Sequence, residues 1–211
     1  MSYKMSWTRL IAYSLFIALL GCLSAAAFAH HPTGGSLPET VGHGFLSGLG
    51  HPLLGLEHLF FLMGLAGVAS MISVRHTASA AIFVATSVVG SLIHVSGISL
   101  AFPHLMVSAS ILGAGALLAA QWQPPRMMLV TLGAVAGLWH GFAYGEAVSG
   151  AAPAVIGAYV VGLVCVQATL LAVAAVLMHR LRARWPYNNL LIFRVAGSAV
   201  CLFGAGFAVF G

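Results

Sequence analysis

Residues 51–72 read HPLLGLEHLFFLMGLAGVASMI, and the only ionisable residues after His51 in this run are Glu57 and His58. An apolar run of this length matches the roughly 20 residues that a helix needs to cross the hydrocarbon core of a bilayer. Backbone polar groups in lipid must be bonded internally, so a run this apolar is expected to be helical. The stretch therefore predicts a membrane helix that carries polar groups at depth.

The composition of the whole chain indicates the same environment. Of 211 residues, 61% are apolar and only 5% are charged, against about 25% charged in soluble domains. This excludes a soluble enzyme, a disordered chain and a secreted disulfide scaffold. The basic residues are scattered between apolar runs, so no nucleic-acid partner is expected. Cys22, Cys165 and Cys201 show no paired spacing, and we interpret Cys165 and Cys201 as small buried hydrophobes.

The N-terminal residues follow the basic, apolar, small-x-small order of a secretory signal peptide. We expect cleavage after Ala29, which makes residues 1–29 the signal peptide. A lipoprotein box around Cys22 and retention as a first membrane helix are the alternatives. Residues 30–50, rich in His, Gly and Pro, are predicted to be an extracytoplasmic segment. Residues 51–211 are predicted to form an all-α, polytopic bundle of six transmembrane helices, at approximately 52–72, 78–97, 104–122, 127–149, 153–178 and 190–210.

The positions of the basic residues predict the orientation of this bundle. If the mature N-terminus lies outside, all eight Lys and Arg residues fall on the cytoplasmic side, and the outer loops at 97–103 and 150–153 carry none. This is the distribution of the positive-inside rule. The chain is therefore predicted to be a multi-pass protein of the bacterial inner membrane with a periplasmic mature N-terminus. Glycines 133, 137, 141 and 145 share one face of the predicted fourth helix, which predicts close helix packing there.

Ionisable residues, which are energetically costly to bury in a membrane, occur at similar depth in two of the predicted helices. His51, Glu57 and His58 open the first, whereas His140 and Glu146 lie in the fourth. On one continuous helix, His51 and His58 would point the same way about 10 Å apart along the axis. Imidazole and carboxylate suit divalent first-row transition metals. The spacing also fits a proton relay or a structural hydrogen-bond network, so the residues alone leave a metal pathway, a relay and a network open.

Other polar residues extend this hypothesis or stand apart from it. His94 reaches the same predicted depth, and Gln167, in the middle of the predicted fifth helix, is a candidate to complete the lining. His30, His31 and His43 are candidate capture ligands outside the membrane, whereas His76 and His179 are interpreted as solvated interface residues. The candidate metal ligands are therefore His51, Glu57, His58, His140, Glu146, His94, His30 and His31.

Both polar segments resemble known motifs. Gly44-Phe-x5-His51-Pro-x2-Gly-Leu-Glu57-His58-Leu resembles the signature of the HupE/UreJ family, which comprises hydrogenase and urease accessory membrane proteins. Trp139-His140-Gly-Phe-Ala-Tyr-Gly145-Glu146 resembles the second signature of that family. The resemblance implies a nickel permease, with cobalt associated with some members. Carried over by position, it implies that His51, Glu57, His58, His140 and Glu146 handle the metal. The family usually has Asp where this chain has Glu57, which puts exact metal selectivity in doubt.

The expected function is uptake of Ni²⁺, or alternatively Co²⁺, for metalloenzyme or cofactor maturation. We expect no enzymatic activity and no permanent cofactor. A divalent transition-metal ion and the lipid bilayer are the expected partners, and the sequence is compatible with a homo-oligomer. An intramembrane haem or metal-binding redox protein and a periplasmic metal or pH sensor are the alternatives. A zinc protease is disfavoured because Glu57-His58 lacks the first His of the His-Glu-x2-His motif.

Overall fold

A computed structural model describes residues 37–72, 77–184 and 189–211, and all regular structure in these ranges is α-helical. The predicted signal peptide, together with His30, His31 and His76, lies outside the described residues. The seven helices of the described part are α1 (Val41–Leu54), α2 (Leu56–Ile72), α3 (Thr77–Val95), α4 (Pro103–Ala120), α5 (Arg126–Glu146), α6 (Pro153–Arg184) and α7 (Asn189–Phe210).

The helices confirm the predicted all-α polytopic class. Five of them, α3 to α7, are each long and apolar enough to cross a membrane. The sixth candidate span is the pair formed by α1 and α2, which are bent by 69° relative to each other at a short break. The last five predicted stretches begin within a residue or two of the observed helices, because Pro and turn residues mark most of those boundaries.

The first predicted span is wrong at its start. Helix α1 begins at Val41, where the Thr40 hydroxyl caps it by accepting from the backbone N–H of His43 at 3.2 Å, as N-cap threonines do. Pro52 therefore lies inside a helix rather than opening one. The expected extracytoplasmic segment 30–50 is consequently helical from Val41 onward, and its buried face packs on α6 through Gly44 and Gly48.

The helices pack in pairs along glycine seams, which are the lines where glycines of one helix contact the backbone of its neighbour. Gly133, Gly137, Gly141 and Gly145 all face the backbone of α3, and a Cβ atom added at Gly133 would lie 2.9 Å from the Ser79 carbonyl oxygen. This confirms the close packing predicted for that face. Comparable seams join α1 to α6 and α4 to α7.

The registers of these seams give the relative directions of the helices. Contacts advance together along α3 and α5, and likewise along α1 and α6, so each of these pairs is parallel. Along α4 and α7 they run oppositely, with Gly204 near Ile111 and Gly197 near Ala119. If six spans alternate in direction, the second and fourth (α3 and α5) are parallel, the first and fifth (α1 and α6) are parallel, and the third and sixth (α4 and α7) are antiparallel. The seams therefore agree with the predicted order of crossings.

Packing corrects one minor prediction. Cys165 is exposed on the outer surface of α6, and Cys201 is only half-buried, so the prediction of two buried cysteines is wrong. A cysteine is apolar enough to face lipid. Lipid-facing and interior positions of a membrane helix are both apolar, so the sequence pattern does not distinguish them. The thiol of Cys201 contacts the Leu112 carbonyl oxygen at 3.4 Å, across the seam between α4 and α7.

Candidate functional site

The break between α1 and α2 brings the first group of polar residues together. Gly55 leaves the helical conformation with φ −76° and ψ 97°, and its N–H donates to the His51 carbonyl oxygen at 2.8 Å. The resulting bend moves His51 toward His58, and their ring centroids are 5.5 Å apart. The expected arrangement, with the two residues about 10 Å apart along the axis of one helix, is therefore wrong, because the helix is interrupted and bent by 69° between them.

His58 lies at the centre of the buried polar groups. Its Nδ1 atom is 2.8 Å from Nδ1 of His140, and its Nε2 atom is 3.3 Å from Oε1 of Glu57. The relative exposure of His58 is 1%, that of His140 is 0% and that of Glu57 is 6%. Two helices distant in sequence, α2 and α5, thus meet through a continuous run of polar atoms.

Ser110, on α4, fixes the orientation of the His140 ring. Its hydroxyl donates to the Val107 carbonyl oxygen at 2.7 Å, and its oxygen also lies 2.8 Å from Nε2 of His140. A serine has one hydroxyl hydrogen, so in this arrangement the second contact requires an N–H on His140 Nε2. The neutral ring then presents its lone pair at Nδ1, facing His58.

Tyr159, on α6, orients His51 in the same way. The tyrosine hydroxyl donates to the Tyr144 carbonyl oxygen at 2.8 Å and lies 3.0 Å from Nδ1 of His51. Because the only hydroxyl hydrogen is used on Tyr144, the His51 Nδ1 atom is the donor in this pair. The lone pair of neutral His51 therefore lies on Nε2. His51, His58 and His140 thus each have one ring nitrogen held by an oxygen, from Tyr159, Glu57 and Ser110 respectively.

Aromatic side chains enclose the three imidazoles. The Tyr144 ring lies 4.1 Å from that of His58 and 5.2 Å from that of His51, centroid to centroid. Phe61 lies 4.5 Å from His140 on the other side. Tyr144 and Tyr159 are completely buried. This packing removes bulk water from the cluster, which strengthens electrostatic interactions inside it.

Gln167 completes the polar lining from α6, as the sequence predicts. It is fully buried, and its Oε1 atom accepts from the Ser87 hydroxyl at 2.9 Å. Its amide nitrogen and the Tyr144 hydroxyl are both buried, and the two side chains neighbour each other in this lining. Buried polar groups are rarely left unsatisfied, and these two side chains add polar groups beside the histidines.

The remaining predicted residues lie apart from this cluster. Glu146 is exposed at the end of α5, and His94 is half-buried against the Phe142 ring at 4.5 Å. His43 is exposed in the first turn of α1. Across the described ranges, no three or more His, Cys, Asp or Glu side chains are arranged to hold a metal ion together. His58 and His140 contact each other through their Nδ1 atoms at 2.8 Å.

Sequence reasoning missed Ser110, Ser87 and Tyr159. A serine or tyrosine in an apolar helix has no spacing signature of its own, because small polar residues also occur as ordinary helix-packing residues in membranes. Tyr144 lies within the second quoted motif, yet its role as the cover of His58 depends on the crossing of α2 and α5. The break at Gly55 had one usable signal, the Pro52 and Gly55 pair within an otherwise continuous apolar run.

Fold and site together define a polytopic helical membrane protein with a buried cluster of histidine and carboxylate side chains at a broken helix. The HupE / UreJ protein family matches residues 17–207, and the chain belongs to this family. Protein HupE of Rhizobium leguminosarum bv. viciae is 26% identical over 205 residues, covering 93% of this chain and 98% of that protein. No solved structure matches the chain. The family resemblance predicted from the two motifs is thereby confirmed.

Proposed function

We propose that the chain is a membrane permease for a divalent transition-metal ion, with Ni²⁺ as the preferred ion and Co²⁺ as the alternative. The observation that carries the proposal is the pair of buried imidazoles, His58 and His140, whose Nδ1 atoms face each other at 2.8 Å. Membership of a family of hydrogenase and urease accessory proteins supports nickel, because both of these enzymes use it. Imidazole nitrogen binds Ni²⁺ well but discriminates weakly among late first-row ions.

The hydrogen-bond pattern around the imidazoles matches that of metal-binding histidines. Such histidines donate their second N–H to a carboxylate or another oxygen, which sets the tautomer and the ring orientation. The Glu57 carboxylate is placed to accept such an N–H from His58, and the Ser110 oxygen is placed to accept one from His140. Glu57 therefore acts on the ion chiefly through His58 and through its negative charge.

An ion between the two rings requires only a small rearrangement. Two nitrogen ligands on a tetrahedral ion at the usual bond length of about 2.0–2.1 Å stand roughly 3.3 Å apart, against the observed 2.8 Å. The ion replaces the proton that joins the two Nδ1 atoms, since both lone pairs are needed for coordination. His51 lies next to this pair, with its ring 5.5 Å from that of His58, and is placed to pass the ion on or to receive it.

Electrostatics at the break favour a cation. The C-terminal end of α1 carries partial negative charge from its carbonyl groups, and broken helices in transporters place such ends at cation sites. Glu57 lies in the first turn of α2, where it offsets the partial positive charge of that helix end. A dication in a low-dielectric interior needs this compensation, because uncompensated buried charge is strongly disfavoured.

The bilayer orientation is part of the same proposal. The basic residues at the ends of α5, α6 and α7 support an orientation with that end of the bundle in the cytoplasm of a bacterial inner membrane, in which the ion moves from the periplasm inward. A membrane-impermeant thiol reagent applied to an Arg126→Cys variant is expected to react only after cell lysis. Reaction in intact cells would reverse the orientation.

Uptake of radioactive nickel and cobalt by cells that lack their own importers tests the function. Cells that express the chain should accumulate nickel at least several-fold above cells with an empty vector. Accumulation equal to the empty vector for both ions would refute the permease. The haem alternative has a separate test, because a bis-histidine haem protein would show a Soret band after purification. The direct contact between the rings of His58 and His140 supports the permease over the haem alternative.

A further inference from the structure

A long apolar groove lies between α2, α3 and α6. Its volume is about 540 Å³, within the range of cavities that hold a small organic ligand. Leu65, Val84, Ala168 and Ala172 contribute to its walls, and His179 lies at one end. The lining is almost entirely aliphatic, so its occupant has to be apolar along most of its length.

The groove is longer than the hydrocarbon part of one bilayer leaflet is thick. Its lining on α6 extends from Val164 to His179, which corresponds to roughly 22 Å of helix at the usual rise per residue. Half of the hydrocarbon core of a membrane is about 15 Å thick. A single acyl chain lying along α6 therefore fits between mid-membrane and the end of the groove that His179 marks.

The charge at that end selects the headgroup. His179, Arg180 and Arg184 are exposed on the last turns of α6. The chain's three acidic residues are Glu39, Glu57 and Glu146, and none of them lies in α3, α4, α6 or α7. No carboxylate of α6 or of its neighbour α3 therefore compensates this positive charge. Clusters of basic residues next to a membrane attract anionic lipids.

We propose that this groove is a binding site for an anionic phospholipid, with an acyl chain along α2, α3 and α6 and the phosphate at His179 and Arg180. Small side chains such as Ala168 and Ala172 leave the space for the acyl chain. Arg180 supplies the donors for the phosphate, since guanidinium groups bind phosphate oxygens well. The site is separate from the histidine cluster and does not depend on the proposed ion transport.

Lipid retention by the purified full-length chain tests this site. The protein in mild detergent is mixed with phosphatidylglycerol or phosphatidylcholine, and bound lipid is counted by native mass spectrometry. Ala172→Phe fills the groove, and Ala116→Phe is the matched control because Ala116 is exposed on α4 outside it. Arg180→Ala removes the phosphate donor, with Arg126→Ala as the control at an exposed arginine outside the groove.

The wild-type chain should retain phosphatidylglycerol in preference to phosphatidylcholine. Ala172→Phe should lower phosphatidylglycerol retention about five-fold relative to Ala116→Phe, and Arg180→Ala should lower it by a similar factor relative to Arg126→Ala, the effect expected for one basic residue at an anionic membrane. Equal retention of the two lipids by the wild type would overturn the proposal. Equal retention by the two phenylalanine variants would do the same, and the wild-type comparison stands even if a variant fails to fold.

Discussion

His58 and His140 are 82 residues apart in sequence, and their Nδ1 atoms lie 2.8 Å apart in the interior of the bundle. The opposite nitrogen of each ring contacts an oxygen, Glu57 Oε1 for His58 and Ser110 Oγ for His140. The two imidazoles are thus held from outside and directed at each other. This arrangement gives different roles to residues that the sequence could only group together as candidate metal ligands.

Ser110 should be a positioning residue for His140. Ser110→Ala removes the oxygen at Nε2, so the ring loses its fixed tautomer, and nickel uptake should fall about 10-fold, the lower end of the range for outer-shell partners of metal ligands. Ser108→Ala is the matched control. Ser108 is on the same helix and donates only to the His104 carbonyl oxygen. Equal uptake by the two variants at equal expression would contradict the role of Ser110.

Glu57 and Glu146 should differ in their importance, although the motifs include both. Glu57 is 6% exposed beside His58, whereas Glu146 is exposed at the end of α5. Glu57→Gln should abolish most uptake, because it removes the buried charge that compensates a dication. Glu146→Gln should stay within about two-fold of the wild type, as expected when a solvent-exposed charge interacts weakly. A larger loss in Glu146→Gln than in Glu57→Gln would reverse this assignment.

Gly55 should be required for the site rather than for the bundle. A Cβ atom at this position would lie 2.7 Å from Cδ2 of His58 and 3.2 Å from Oε1 of Glu57. Gly55→Ala should therefore displace the His58 ring and lower uptake at least 10-fold, since small displacements of reacting groups have large effects. Gly113→Ala is the control, because a Cβ atom there meets nothing within 4 Å. Uptake that is equally normal in both variants would show that the ring tolerates the methyl group.

Gly141 should matter for the stability of the bundle. An added Cβ atom at Gly141 would clash with the backbone of Ser87, in the seam between α3 and α5. Overpacking of this kind costs about 1–3 kcal/mol of folding free energy. The melting temperature of Gly141→Ala in detergent, followed by size-exclusion chromatography after heating, should be several degrees below that of Gly113→Ala. Identical melting curves of the two variants would show that close packing of α3 on α5 at Gly141 does not contribute to the stability of the bundle.

Much of the fold follows directly from the sequence. Long apolar runs require helices in lipid, and Pro103, Pro153 and the glycine-containing turns mark helix ends that the structure reproduces. Gly97 and Gly150 adopt φ of 79° and 88° in those turns, a conformation that glycine adopts without strain. The spacing of the α5 glycines predicts the close packing of that helix. Local chemistry is sufficient for these features.

The start of the first span and the geometry of the site could not be predicted in the same way. Pro52 is usual at the beginning of a helix, yet here it lies in the last turn of α1, because the Thr40 cap and the seam with α6 fix the helix start at Val41. Glu146 and His140 belong to one motif, but only His140 faces the interior. Which face of a helix is inside depends on its neighbours, and their crossing angles are not encoded in one segment.

Nickel entry into proteoliposomes tests the central claim most directly. The purified chain is reconstituted into vesicles that contain a nickel-sensitive dye, and wild type is compared with His58→Ala, His140→Ala and the control His43→Ala, a histidine exposed in the first turn of α1. The wild type and His43→Ala should admit nickel at similar rates. His58→Ala and His140→Ala should each be reduced to the rate of empty vesicles. Nickel entry at the wild-type rate in both of these variants would contradict the account.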